Sequence, residues 1–210
     1  FRRVLFRSYF EEAIILEPNY IEAYCNKGIA LKEIRSYQES IKYFNLALEK
    51  KAHFADAFYN LGLVYHELGS IDLAINNYNK AIEINKDFIE AYWNKSLALL
   101  IQGDYINGWL LHEYRWKTKK FEILERKYNQ KKWLGKENIK GKRILIYQEQ
   151  GIGDTILFSR FIRLVKLLGA YIIFEVNKSL YSFLKRLDGI DEIIYSDSIT
   201  PSFEIGRAHV

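Results

Sequence analysis

The stretch ADAFYNLGLVYHELGSIDLAINNYNKAIEINKD, residues 55–87, decides the fold of the first half of the chain, because its pattern recurs on both sides. An alanine, an aromatic residue and an asparagine each return after 34 positions: Ala23, Ala57 and Ala91; Tyr24, Phe58 and Tyr92; Asn26, Asn60 and Asn94. Small residues follow the same spacing, as expected where two helices must approach closely (Gly28, Gly62 and Ser96). A fixed period of this length indicates a repeat protein.

Residues 55–87 resemble a tetratricopeptide repeat almost throughout. The resemblance implies that residues 9–117 hold a partial repeat and three further repeats: 9–20, 21–54, 55–88 and 89–117. We predict helix pairs at 22–35 with 38–51, at 56–69 with 72–85, and at 90–103 with 106–117. Stacked pairs of this kind form a helical solenoid.

Both ends of the chain, FRRVLFRS and IGRAHV, fit no periodicity elsewhere and resemble translated sequencing-library adapter. We therefore expect residues 1–8 and 205–210 to be adapter scars, and the native residues between them to be truncated at both ends. The balance of 31 Lys and Arg against 26 Asp and Glu then becomes nearly even, because four arginines lie in these ends (Arg2, Arg3, Arg7 and Arg207). The total charge gives no support for nucleic-acid binding.

Composition limits the class of protein further. One cysteine, Cys25, excludes an internal disulfide framework and fits a reducing compartment. We therefore expect a cytoplasmic protein, with peripheral attachment at the inner membrane left open. No run approaches the roughly 18 apolar residues of a membrane span, so no transmembrane segment is expected.

Residues 118–142 are basic and are interleaved with Phe121, Tyr128 and Trp133. We interpret them as a solvated linker whose aromatic residues anchor it to the domains on either side. A basic stretch with aromatics also fits a nucleic-acid groove, which is the alternative at this point.

From Arg143 the pattern changes to short β-branched runs that alternate with helical stretches. RILIYQ, YIIFEV and DEIIYS read as strands, whereas DTILFSRFIRLVKLLG and KSLYSFLKRLDG read as one helix each. Alternation of this kind is typical of a parallel sheet. The predicted fold class is thus α plus α/β, a helical repeat solenoid followed by the first half of a Rossmann-like parallel-sheet domain at 143–204.

The loop after the first strand carries Gly151 and Gly153, followed at once by Asp154. Such a loop opens beside a helix N-terminus, where backbone N–H groups favour an anion. A dinucleotide site would need a small residue in place of Ile156, although Glu175 falls where a ribose-binding acid is expected. Asp154 fits two roles, an N-cap for a helix that starts at Thr155 or a general base.

Residues 131–194 also resemble a glycosyltransferase family 9, heptosyltransferase-like, domain that follows tetratricopeptide repeats in bacterial proteins. The matching residues are Trp133 with Gly135 and Glu137, Gly141-Lys142, Glu149-Gln150-Gly151, Gly153-Asp154-Thr155, Phe158, Arg160, Gly169-Ala170, Glu175, Leu180, and Leu187 with Gly189.

The resemblance implies a two-domain GT-B enzyme that transfers a sugar from a nucleotide-sugar donor to a glycan, lipid-linked or protein acceptor. Asp154 matches the proposed catalytic base of this family. Gly151, Gly153, Thr155 and Arg160 are the expected acceptor or phosphate contacts. The donor is a substrate whose site is expected in the C-terminal half, so the fragment alone should be inactive. The resemblance implies no cofactor and no metal.

Asn26, Asn60 and Asn94, with Tyr59 and Trp93 nearby, should lie on the concave face of the repeats. One asparagine per repeat resembles the ladder by which the repeats of O-linked N-acetylglucosamine transferase hold a peptide main chain. Asparagine is also common at this position in repeats of every function. The alternative to an enzyme is therefore a non-catalytic scaffold for protein–protein interaction.

Overall fold

The computed structural model describes residues 2–122, 126, 128–148 and 151–208, and it contains two compact units, Phe1–Glu125 and Arg126–Val210. The first unit is helical. Its α-helices are α1 (Arg2–Leu16), α2 (Ile21–Glu33), α3 (Tyr37–Lys50), α4 (Ala55–Glu67), α5 (Ile71–Ile84), α6 (Ile89–Gln102), α7 (Tyr105–His112) and α8 (Lys119–Glu122). A 3-10 helix, Glu113–Lys117, lies between the last two.

Successive helices of the first unit pack against each other, and α4 also contacts α2 and α6. The predicted boundaries of the helices from α2 to α6 agree with the structure to within two residues. Gly103 ends α6 with φ of 90°, a left-handed conformation that glycine adopts without strain. The helical repeats predominate in the chain, as the 34-residue period predicts.

Glycine and aromatic residues meet where the two helices of a repeat cross. A Cβ atom added at Gly28 would lie 2.6 Å from Cε1 of Phe44, and one added at Gly62 would lie 2.6 Å from Cδ1 of Tyr78. Both aromatic rings are fully buried. Because neither glycine has a side chain, α2 and α4 can approach their partner helices at core packing density.

The third repeat uses different residues at the same crossing. Ser96 stands where the other repeats have glycine, and His112 stands where they have Phe44 and Tyr78. The Ser96 hydroxyl donates to the Trp93 carbonyl at 2.6 Å and lies 3.3 Å from Nδ1 of His112. A polar contact therefore replaces the ring-on-glycine contact in this repeat.

The predicted second helix of that repeat, 106–117, is wrong in its C-terminal half, since α7 ends at His112 and continues as the 3-10 helix. Tyr114 in this segment stacks on Tyr92 with ring centroids 4.2 Å apart. The segment packs against α6, so α6 is covered by aromatic contacts in place of a full second helix.

The second unit is a five-stranded sheet with helices. Its elements are β1 (Lys131–Trp133), β2 (Arg143–Tyr147), α9 (Ile152–Ser159), α10 (Ile162–Leu167), β3 (Tyr171–Val176), α11 (Lys178–Leu184), β4 (Glu192–Tyr195) and β5 (Ile205–Ala208). The strand order is β1-β5-β2-β3-β4, and every pair is parallel. The parallel arrangement of β2, β3 and β4 is the one that the alternating pattern predicts.

Two parts of the chain that were not expected in a fold element belong to this sheet. Lys131–Trp133 lies in the predicted linker and forms β1, and Ile139 nearby is buried in the sheet core. Ile205–Ala208 lies in the predicted adapter end and forms β5, while α1 starts inside the other predicted adapter end. Strand pairing uses backbone groups, so it does not need a particular sequence pattern. The origin of these end residues stays a prediction.

The sheet is covered on both faces, which explains why its strands are continuously apolar. Ile144 and Ile146 of β2 pack towards Ile162, Val165 and other residues of the helices. On the opposite side of β2, Leu145 and Tyr147 form a second cluster, which Tyr128 and Phe203 join.

The single helix predicted for 154–169 is two helices, α9 and α10. Phe161 donates its N–H to the carbonyl of Phe158, a bond that spans three residues in place of four. The hydroxyl of Ser159 donates to the carbonyl of Ile156 at 2.8 Å. Serine bonds of this kind compete with the helix and bend it.

Candidate functional site

The first candidate site is the start of α9, directly after β2. Gly151 is its N-cap, and the helix begins at Ile152. Asp154 is therefore the third helical residue, and the interpretation of Asp154 as the N-cap of a helix starting at Thr155 is wrong. Its exposed carboxylate lies in the first turn, where the helix dipole favours a negative charge.

Neither glycine of this segment has a positive φ. Gly151 is extended, with φ of −65° and ψ of 163°, and Gly153 lies inside the helix. Among the atoms of the described residues, a Cβ atom at Gly153 would meet none within 4 Å, and one at Gly151 would meet Oδ2 of Asp154 at 3.8 Å. The space above Gly153 is therefore open towards solvent.

The other predicted contacts of this site differ in accessibility. Thr155 is buried and donates its hydroxyl to the Gly151 carbonyl at 3.2 Å, so its proton is already used. Arg160 is exposed at the end of α9, with its guanidinium 4.8 Å from the ring centroid of Phe161. The helix thus separates the two residues by more than one turn, and of these two side chains Arg160 is the one exposed to solvent.

Glu175, the residue that a dinucleotide site would use to bind a ribose, forms an ion pair with Arg126 instead. Its side chain is buried at the end of β3, next to Tyr147 of β2. Arg126 donates to it at 2.5 Å and lies over the Tyr147 ring at 5.0 Å. Burial lowers the pKa of Arg126, but hydrogen bonds and charge attraction from Glu175 and Tyr128 outweigh burial and raise it overall.

This ion pair gives a prediction for stability. Arg126→Met leaves the buried Glu175 carboxylate without its cation, which we expect to lower the free energy of unfolding by about 1–2 kcal/mol. The figure is below that of a fully buried pair because the Arg126 side chain is 38% exposed. Urea unfolding of the single and the double variant, Arg126→Met with Glu175→Gln, measures it.

The double variant should recover at least half of the loss, since the neutral amide carries no unpaired charge. Glu192→Gln is the matched control, because the Arg143–Glu192 pair is about one-third exposed on both sides and should contribute less than about 0.5 kcal/mol. Equal losses for Arg126→Met and Glu192→Gln would contradict the argument.

The second candidate site is the row of asparagines on the first helices of the repeats. Asn60 donates from Nδ2 to the Asp56 carbonyl at 2.8 Å, and Asn94 donates to the Glu90 carbonyl at 2.9 Å. Each bond spans one turn of the residue's own helix and fixes the direction of the amide. Among the described residues, neither side-chain oxygen accepts a hydrogen bond. Asn26 is exposed.

The aromatic residues predicted beside this row have different environments. Tyr59 accepts a hydrogen bond from Nδ2 of Asn94 at 3.1 Å and packs on Phe88, so the structure brings two predicted residues together. Burial, with a smaller effect from Glu90, raises the pKa of Tyr59 to about 12. Trp93 packs edge-on against Phe121 of α8, with ring centroids 5.4 Å apart.

A row of carboxylates runs beside the asparagines, and the sequence interpretation missed it. Glu22, Asp56 and Glu90 lie in the first turns of α2, α4 and α6, four residues before the asparagines, and all three are exposed. Their spacing of 34 residues could have identified them. Among the described residues none of them forms a salt bridge. Together the two rows present many oxygen acceptors.

Other expected features of the sites concern the cysteine, the linker aromatics and metals. Burial, and to a smaller extent the negative charges of Asp56 and Glu22, raises the pKa of the buried Cys25 thiol to about 12.

The aromatic rings of the predicted linker are packed. Phe121 packs in the first unit and Tyr128 in the second, so these rings are not open stacking platforms for a nucleic acid. The described ranges contain no group of three or more His, Cys, Asp or Glu side chains that could hold a metal. No helix in these ranges is long and apolar enough to cross a membrane.

Family models match two segments of the chain, residues 21–51 and residues 55–88, and both describe the tetratricopeptide repeat. These segments are tetratricopeptide repeats. The two matched segments lie within the predicted repeats 21–54 and 55–88. The likeness of the second half to glycosyltransferase family 9 stays a prediction. No curated protein sequence matches the chain.

Solved structures similar to the chain include repeat proteins and an enzyme. MamA is 28% identical over 57% of this chain and 70% of its own, with a TM-score of 0.49. An O-GlcNAc transferase mutant from Thermobaculum terrenum is 15% identical over 89% of this chain and 36% of its own, with a TM-score of 0.49. YrrB, a TPR protein with an unusual peptide-binding site, is 23% identical over 54% of this chain and 59% of its own, with a TM-score of 0.46.

Proposed function

We propose that the tetratricopeptide repeats bind an extended polypeptide along α2, α4 and α6. The observation that carries the proposal is the orientation of Asn60 and Asn94. Each side-chain amide donates a hydrogen bond to a carbonyl of its own helix, and its oxygen accepts none from the described residues. Oxygens fixed in this way in two successive repeats can accept hydrogen bonds from the N–H groups of an extended main chain.

The charge beside these amides indicates the kind of peptide. Glu22, Asp56 and Glu90 add one exposed carboxylate per repeat, on the same helices and one turn away. A peptide with lysine or arginine side chains complements this row, whereas an acidic peptide is repelled by it. The proposed partner is therefore an extended, basic segment of a protein, and the repeats act as an interaction scaffold.

The test compares unstructured peptides of equal length, one lysine-rich and one glutamate-rich, by fluorescence anisotropy. We expect the lysine-rich peptide to bind and its affinity to fall as salt rises. Asn60→Ala with Asn94→Ala removes two acceptors, at about 0.5–1.5 kcal/mol each, so the affinity should fall about 5- to 150-fold.

Asn77→Ala is the matched control, because Asn77 makes the same bond to its own helix, at 2.8 Å to the Leu73 carbonyl, but lies on α5. Its affinity should equal that of the unaltered chain. Equal binding of both peptides, or an equal loss in the Asn77→Ala variant, would refute the proposed face.

A second function is proposed for the sheet unit, acceptor binding and proton abstraction in glycosyl transfer. Asp154 supports it, because its carboxylate is exposed just after the carboxyl end of β2 and stands beside the open space above Gly153. The edge of a parallel sheet where strands end is the usual place for ligands in α/β proteins. In this role Asp154 takes the proton of an acceptor hydroxyl, and the donor is a nucleotide-sugar.

A further inference from the structure

Helix α9 has its polarity reversed. It buries two hydroxyl residues, Thr155 at 8% and Ser159 at 5% exposure, and within the described part of the chain both bond to carbonyls of α9 or its N-cap. Leu157, on the other side, is 50% exposed. A helix on the surface of a folded unit normally buries its apolar residues and exposes its polar ones. The exposed side of α9 is therefore a candidate contact surface.

The apolar surface continues onto the neighbouring helices. Ile162 and Val165 of α10 pack into the sheet, and the residues on its opposite side are mainly leucines. α11 lies beside α9 and exposes a phenylalanine. We call this surface the outer face, and its apolar residues are Leu157, Leu164, Leu167, Leu168 and Phe183, at 50%, 57%, 74%, 52% and 65% exposure. Contiguous exposed apolar residues of this kind mark an interaction site.

The charges around the outer face are mainly positive. The exposed anions on and beside the three helices are Asp154 and Asp188, whereas Asp191 is paired with Lys166. The exposed cations there number five: Arg160, Arg163, Lys178, Lys185 and Arg186. Arg163 and Leu167 are one turn apart on α10, so a cation and a leucine are neighbours on this surface. Leucine and phenylalanine mixed with arginine and lysine are the composition of a helix that lies in the interface of an anionic bilayer.

We propose that the outer face docks onto an anionic membrane surface. Leu164, Leu167 and Phe183 enter the boundary between headgroups and acyl chains, while Arg160 and Arg163 contact lipid phosphates. Apolar burial and attraction to anionic lipid act together in this mode of binding. The attachment is peripheral, since the contact is made by side chains on the surface of a folded unit.

The experiment is cosedimentation of the full chain with two kinds of vesicle, phosphatidylcholine alone and phosphatidylcholine with about 30% phosphatidylglycerol. We expect binding to the anionic vesicles that weakens in high salt, and little binding to the neutral ones. Replacing Leu164, Leu167 and Leu168 together by serine should lower the partition coefficient about tenfold or more. Arg160→Glu with Arg163→Glu should abolish the preference for anionic vesicles.

The matched control is Ile101→Ser with Ile106→Ser, which alters two residues of the helical unit that are 62% and 78% exposed. It should bind vesicles as the unaltered chain does, and the unfolding transition should remain cooperative in all variants. Failure of the unaltered chain to bind anionic vesicles would overturn the proposal. An equal loss of vesicle binding in the control would also overturn it. So would the finding that the unaltered chain is a dimer and that the serine variant is a monomer, because the outer face would then bind a second copy of the chain.

Discussion

Gly62→Ala is expected to destabilise the helical unit, although alanine is the better helix former. The new methyl group would lie 2.6 Å from Cδ1 of Tyr78, whose ring is fully buried between α4 and α5. Overpacking of this kind costs about 1–3 kcal/mol, and the helix propensity of alanine returns only about 1 kcal/mol of it. We expect a net loss of up to about 2 kcal/mol, measured by thermal unfolding followed by circular dichroism.

Gly153→Ala is the matched control, because this glycine is also helical but has no atom within 4 Å of an added Cβ. The same chemical change should there leave stability unchanged or raise it by up to about 1 kcal/mol. A loss of stability at both positions would show that the backbone, and not the Tyr78 ring, decides the outcome at Gly62.

The residue pair at the same helix crossing in the third repeat suggests a compensating double substitution in the second repeat. Since Ser96 and His112 occupy the equivalent positions there, Gly62→Ser should be tolerated better when it is combined with Tyr78→His. In a double-mutant cycle we expect the pair to cost about 1 kcal/mol less than the sum of the single substitutions. Additive costs would mean that the contact in the third repeat does not transfer to the second.

The period of the sequence predicts the helical repeats well because every repeat buries the same positions. Gly62, Ala74 and Tyr78 face one another across a crossing, so their types and their spacing are both constrained. The third repeat departs from the pattern after Gly108, and the chain forms a 3-10 helix from Glu113 onwards. Its aromatic contacts, such as Tyr92 with Tyr114, come from residues that no period connects.

The sheet unit is less predictable, because its details depend on partners that are distant along the chain. The strands β2, β3 and β4 are recognisable from their β-branched runs. By contrast, β1 and β5 are short, and their pairing with each other is visible only in three dimensions. Residue type alone could not show that Glu175 is neutralised, since its partner Arg126 lies 49 positions earlier.

The start of α9 illustrates how a good local signal can mislead. Asp154 is a favourable N-cap residue, and a glycine pair before it suggests a loop. The helix nevertheless begins at Ile152, which places Asp154 in its first turn as the third helical residue. The reversed polarity of α9 was available in the sequence, since Thr155 and Ser159 lie on one side of the helix and Leu157 on the other. It became informative only once the buried side of α9 was known.

Asp154→Asn is expected to have the largest effect on activity. If Asp154 is the base of a glycosyl transfer, the amide cannot accept the acceptor's proton, and kcat should fall by about 10²- to 10⁴-fold. The KM for the acceptor should change little, because asparagine has nearly the same size and keeps one oxygen. The assay uses the open reading frame that contains residues 9–204, with nucleotide-sugar donors and a glycan acceptor.

The structural cost of this substitution should be small, which makes the kinetic result interpretable. Asp154 is exposed in the first turn of α9, so loss of its charge should lower stability by about 0.3–1 kcal/mol. Asp188→Asn, at another exposed carboxylate of the same unit, is the control and should retain full activity. If the Asp154→Asn variant keeps its transferase activity, Asp154 is not the catalytic base, and its charge only stabilises the first turn of α9. The peptide-binding role of the repeats would then be the function that remains, because it depends on Asn60 and Asn94 and not on the sheet.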